Sequence, residues 1–228
     1  FEEIVAMHSA GVAVESRFGG KASNLARLQG ILPPESSYRL DGFGIPVRHY
    51  LEFLRSNSIE SLVRPGAQVT YEDYLREIFA DPEFQTNSKY RFEALRTLRD
   101  HMEDEGKVDE NLISSLVLKI LDVFGNTDSR VRFRSSSNVE DALEFNGAGL
   151  YNSYSACAAD DLDTDDNGPS RCEADRGSER GIGRALRRVW ASLWNFRAVE
   201  ERAFYGVGHD LVGMGVLVSR TFDNEQAN

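Results

Sequence analysis

The chain has 228 residues, 41% of them apolar, enough to bury the core of one large domain or two small lobes. Its formal net charge of -11 argues against a nucleic-acid binder, because neutralising phosphates takes clustered Lys and Arg. No apolar run approaches the roughly 20 residues that a membrane helix needs.

The chain opens at Phe1-Glu2-Glu3-Ile4, without a Met or a basic segment leading into an apolar one, and reads as a cut edge. A helical pattern starts at Ser23, with Leu25 and Leu28 apolar, and stops at Pro33-Pro34. Gly42 to Pro46 reads as a short extended piece, since the residue before Pro avoids the helical region. Helix resumes near Val47, with Tyr50, Leu51 and Leu54 on one face. Residues 70–124 form a helical subregion. Its stripes are Tyr74, Ile78 and Phe79, then Phe92, Leu95, Leu98 and Met102, then Leu112, Leu116, Ile120 and Val123. Gly125-Asn126 predicts a left-handed cap.

Val131-Arg132-Phe133-Arg134 alternates as a strand and runs into Ser135 to Asn138, which reads as a polar turn. Leu150 to Tyr154 reads as a further strand. Residues 156–177 form an acidic insertion loop; positions 156 to 175 hold seven acidic residues and one basic. Ser178 is placed to cap a helix whose stripe is Ile182, Leu186, Val189, Leu193 and Phe196. Arg180, Arg184, Arg187 and Arg188 crowd its first half. Val212 to Val218 reads as a buried strand, and the end that follows looks cut. The mixture indicates an α/β or α+β fold.

Three places could carry chemistry. Gly19-Gly20-Lys21 lies before a helix, where bare backbone N–H groups, the helix dipole and a Lys suit a phosphate. It is not a Walker A motif, since Glu15 stands at the first Gly position and Ala22 follows the Lys. Arg134 at a strand end, with Ser135 and Ser136, suits a polyphosphate; a structural ion pair with Glu140 or Asp141 is the alternative. Gly147-Ala148-Gly149 would let a ligand lie against bare backbone, or is a simple hairpin or bulge.

Together these elements carry a resemblance. Gly19 to Gly30, Gly42-Phe43 with the Tyr50 helix, Arg134 to Ser153, and Leu186 to Ala203 resemble, in order, four landmarks of the pyruvate phosphate dikinase and phosphoenolpyruvate synthase family. The resemblance implies an ATP-grasp-like domain that holds ATP between two lobes. Its enzymes phosphorylate a His on a separate swivelling domain, which passes the phosphoryl group to an acceptor. Lys21 and Arg134 would contact the ATP phosphates and stabilise charge during transfer, while Gly149 and Ser153 would line the nucleotide pocket. Residues 1–228 would be the amino-terminal part of that domain, ending before the second lobe, which carries the Mg²⁺ ligands. Such a piece would not complete a transfer alone. The usual Pro after Glu-Asp-Leu is absent, the run here being Glu140-Asp141-Ala142-Leu143. None of the four His residues lies in a catalytic motif.

The acidic loop supports a second reading. Asp161, Asp163 and Asp165 alternate as the first ligands of a calcium loop do. Gly168 comes two places late for an EF-hand, however, and Cys172 stands where a bidentate Glu belongs. A solvated loop is the alternative. Cys157 and Cys172 are either two unrelated thiols or a disulfide that closes the loop. An active kinase would be cytoplasmic. A disulfide-bonded, calcium-stabilised binding module on the same fold would be exported.

Overall fold

A computed structural model of the chain describes residues 5–6, 15–33, 35–139, 147, 149–163 and 168–221. In chain order the elements are β1 (Val5–Ala6), α1 (Glu15–Phe18), α2 (Gly20–Ile31), β2 (Gly42–Ile45), α3 (Val47–Ser56), β3 (Ser58–Glu60), β4 (Gln68–Thr70) and α4 (Tyr71–Ala80). There follow α5 (Pro82–Thr86), α6 (Ser88–Asp104), α7 (Glu110–Phe124), β5 (Val131–Ser137), β6 (Tyr154–Ala156), α8 (Ile182–Ala191), α9 (Phe196–Phe204) and β7 (Met214–Arg220).

Five strands form one sheet in the order β1-β2-β7-β5-β6, and every neighbouring pair is antiparallel. The fold is therefore mixed, with helices packed on a small antiparallel sheet. One face of the sheet, carrying Phe43, Ile45, Phe133, Val216 and Val218, meets the large apolar core shared with α3, α4, α6, α7 and α8. The other face carries Leu217, packed against Phe18 of α1 and Ala22 of α2. Arg134 is registered opposite Leu217 and shares that second face.

The helical subregion forms as its stripes require. Thr70 caps α4 by accepting from the Asp73 N–H, and Asn87 caps α6 through the Lys89 and Tyr90 N–H groups. Gly125 closes α7 in the left-handed region at φ 79°. Between α3 and α4 the structure adds a short hairpin of β3 and β4, in which only Ile59 and Val69 are buried.

Four expectations need correction. The serines after Arg134 are strand, not turn: Ser135, Ser136 and Ser137 pair with Val216, Gly215 and Met214. Sheet pairing with β7 overrides the turn preference of a polar run. Leu150 to Ser153 is turn, bend and irregular chain, and pairing begins only at Tyr154. The Ile182-to-Phe196 stripe is broken between α8 and α9 by the short turn Ser192–Trp194. There Ser192 Oγ donates to the Val189 carbonyl and accepts from the Asn152 N–H, and Asn195 Nδ2 donates to the Leu150 carbonyl. Finally, α8 begins at Ile182, with the Asp161 carboxylate, not Ser178, accepting its first N–H at 2.7 Å.

Candidate functional site

Gly19, just before α2, is pressed against the far end of β5. Gly19 has φ 80°, and a Cβ placed there would lie 1.7 Å from the Ser136 carbonyl oxygen. Only Gly fits such an approach. Ser136 Oγ accepts from the Ala22 N–H at 2.9 Å, so a strand hydroxyl caps the helix from 114 residues away. No side chain at Gly19 itself caps α2. Gly215 of β7 is also constrained, since a Cβ there would lie 2.4 Å from the Phe18 carbonyl oxygen.

Lys21 follows directly. Its Nζ donates to Ser135 Oγ at 3.3 Å, the residue next to Arg134. Arg134 is half-buried on β5, and its Nε donates to Ser219 Oγ on β7 at 3.4 Å. Arg132, on the same face, donates to Ser155 Oγ at 3.2 Å. The tertiary structure thus brings Lys21 to the strand that carries Arg134. Glu140 and Asp141, the alternative partners of Arg134, lie outside the described residues.

Ser153 and Gly149 come from the next segment. The last paired positions of β5 and β6 are Phe133 and Tyr154, so Arg134 and Ser153 are the residues immediately beyond. Gly149 has φ 77°, and a Cβ there would meet open space. The chain around it is held from behind. Arg202, fully buried on α9, donates to the Tyr151 hydroxyl and the Leu193 carbonyl, both at 3.0 Å, and lies over the Trp194 ring. Ser192 and Asn195 take the neighbouring backbone groups. Sequence reading missed Ser136, Arg202 and Asn195 as supports, because their partners lie far away along the chain.

Several described carboxylates of the acidic loop are taken up by groups of the chain itself. Asp160, which sequence reading passed over, is buried and accepts from the Arg171 and Arg180 N–H groups, both at 2.8 Å. Asp161 caps α8, Asp163 pairs with Arg171 at 3.0 Å, and Asp165 lies outside the described residues. Cys157 and Cys172 form a disulfide. Cys157, Ala158, Ala159 and Asp160 are buried, so the reading of the insertion as a solvated loop is corrected for its start. Among the described residues no three His, Cys, Asp or Glu side chains gather as a metal site.

A cavity of about 640 Å³ lies apart from this junction, between α3, α7 and α8. Its charged lining is largely self-paired: Arg48 and His49 both meet Glu52, and Asp109 caps α7.

The sequence profile of the pyruvate phosphate dikinase AMP/ATP-binding domain matches residues 15–227. The chain belongs to this family. All four candidate residues, Lys21, Arg134, Gly149 and Ser153, fall inside the dikinase match. A phosphoenolpyruvate synthase of Pyrococcus furiosus is 28% identical over 135 residues, which are 59% of this chain and 14% of that protein. The chain therefore spans a small part of the length of that relative. No helix among the described residues is long and apolar enough to cross a membrane.

Proposed function

We propose that the junction of α2 with β5 holds the phosphates of ATP, as part of a dikinase-type phosphotransferase. The observation that carries this reading is the seating of Gly19 on Ser136, with Lys21 bonded beside Arg134. A bare backbone, a helix N-terminus, a Lys and an Arg converge on one strand end, and each favours an anion. Lys21 supplies a point charge, while the Arg134 guanidinium offers a planar fork held by Ser219. Both would stabilise charge that develops on a transferring phosphoryl group. Gly149, with nothing over its α-carbon, and Ser153, next to Arg134 in the strand order, would border the nucleotide.

On this reading ATP supplies the phosphoryl group, and a His on a separate swivelling domain receives it. The fold would be the first lobe of an ATP-grasp-like domain, with residues 70–124 as a helical insertion and 156–177 as an acidic one. Mg²⁺ would accompany ATP on ligands contributed mostly elsewhere in a longer protein; the described residues offer no acidic cluster for it.

Calorimetry with Mg·ATP on this chain and on Arg134→Ala tests the proposal. Binding that weakens on the order of tenfold or more in the variant is the expected outcome. Equal binding by both proteins would refute the role of Arg134. If neither binds, a chain extended through a second lobe decides whether that lobe is required.

The Cys157–Cys172 disulfide favours a second reading, a disulfide-stabilised binding module that works in an oxidising compartment. Thiol titration of protein isolated from its native compartment separates the two: two free thiols favour the cytoplasmic kinase, and none favours the exported module.

A further inference from the structure

The approach to α8 and the helix itself concentrate positive charge in a chain whose net charge is -11. Arg180, Arg184, Arg187 and Arg188 fall within nine positions, and Arg184 and Arg188 are one helical turn apart. Like charges at that spacing repel, and cations near a helix N-terminus oppose its dipole. Counter-charges are few. Arg188 meets Glu103 at 3.5 Å, and Arg180 meets Glu173 at 3.7 Å. Glu173 is already shared with Arg130 and Arg176. Arg187 donates to the Gly106 carbonyl. The nearby Asp160 and Asp161 carboxylates are taken up by backbone N–H groups.

Arg184 is left over. It is half-buried, and among the described residues it has no hydrogen bond or ion pair. Its burial and the proximity of Arg188, Arg180 and Arg187 lower its pKa below the ordinary value for a guanidinium. Tyr154 is close by, with Arg188 over its ring at 5.5 Å. The Tyr154 hydroxyl accepts from Asn152 Nδ2 at 3.2 Å, so its own proton remains to donate. The result is a half-buried cation, flanked by further guanidiniums and a hydroxyl donor, with no anion among the described residues to meet it. Such a charge is costly unless compensated.

We infer that Arg184, with Arg188 and Tyr154, forms a second anion site, for a phosphate group such as that of inorganic pyrophosphate. Arginine forks suit the oxygens of a phosphate, and Tyr154 adds a directional donor. The site is separate from the α2–β5 junction. α8 packs on the Phe133 face of the sheet, whereas α2 packs on the Leu217 face.

Thermal unfolding in pyrophosphate, at fixed ionic strength and without divalent metal, tests this in three proteins. The chain itself and Arg134→Ala should both gain roughly 3–6 °C at tenfold saturation. Arg184→Gln should start at a higher melting temperature, because an uncompensated charge is gone, and should lose most of the gain. Arg184→Lys should keep part of it, since the charge stays and the fork is lost. A gain that survives in Arg184→Gln overturns the inference, as does the absence of a gain in the unmodified chain. A gain abolished by Arg134→Ala overturns it too, and assigns pyrophosphate to the junction of the proposed function. In Arg134→Ala, ATP replaces pyrophosphate as a final arm. An equal gain extends the site to nucleotide tails, and no gain confines it to free phosphate.

Discussion

At Gly19 a single added methyl group would have to occupy space already held by the Ser136 carbonyl, in a backbone region that side chains avoid. Gly19→Ala should therefore cost about 2–4 kcal/mol, from left-handed strain plus overpacking. Urea unfolding measures the loss, and the mixed-sign alternative, a stabilised chain, would mean that α2 does not dock on β5. The Gly-Gly-Lys run suggested a phosphate site, but the seating of Gly19 on a serine 117 positions later in the chain was not legible. His209 offers a second residue-scale test. Burial, with Arg202 beside it, holds its imidazole at about 4, below the ordinary 6.5. The unfolded chain takes up that proton first, so the contribution to stability is full above pH 6.5 and is lost as pH falls toward 4. Glu103, raised by burial, works in the opposite direction. The readout is therefore the difference from His209→Gln, in which the slope between pH 6.5 and 4 should flatten.

At the scale of elements, the amphipathic stripes of α3, α4, α6 and α7 were readable because helix periodicity depends on local spacing alone. The 156–177 segment was harder. Its charge marked it as an insertion, yet Asp160 and Asp161 turn inward to hold backbone N–H groups of residues 171, 180 and 182. The disulfide closes the same loop across a sequence separation of 15. Reducing it should cost about 3 kcal/mol by the loop-entropy relation, seen as a lower melting temperature under dithiothreitol. No change on reduction would mean that the Asp160 network alone holds the loop. The break between α8 and α9 was hidden for a related reason: an apolar stripe runs straight through it, and Asn152 and Leu150, which bond Ser192 and Asn195 there, are brought alongside from far away in the chain.

For the whole molecule, one apolar cluster runs from Phe43 on β2 through the helical subregion to Val218 on β7. Residues 70–124 are thus part of a common core and not an independent unit. Unfolding should be a single transition, with fluorescence of Trp190 and Trp194 coinciding with far-ultraviolet circular dichroism. Two separated transitions would divide the core. Trp194 ties the halves directly, donating from Nε1 to the Tyr50 hydroxyl at 3.0 Å. Local spacing by itself determined the mixed fold class, the helical stripes and the left-handed cap at Gly125, and four short runs of residues carried the resemblance to the dikinase family. These are properties of residues close in sequence. Tertiary structure alone decided that the serines after Arg134 are strand, that Ser136 caps α2, that Arg202 braces the turn at Tyr151 and that Arg184 meets no counter-ion among the described residues. Each of these depends on which groups long-range packing brings together, and no local pattern encodes that.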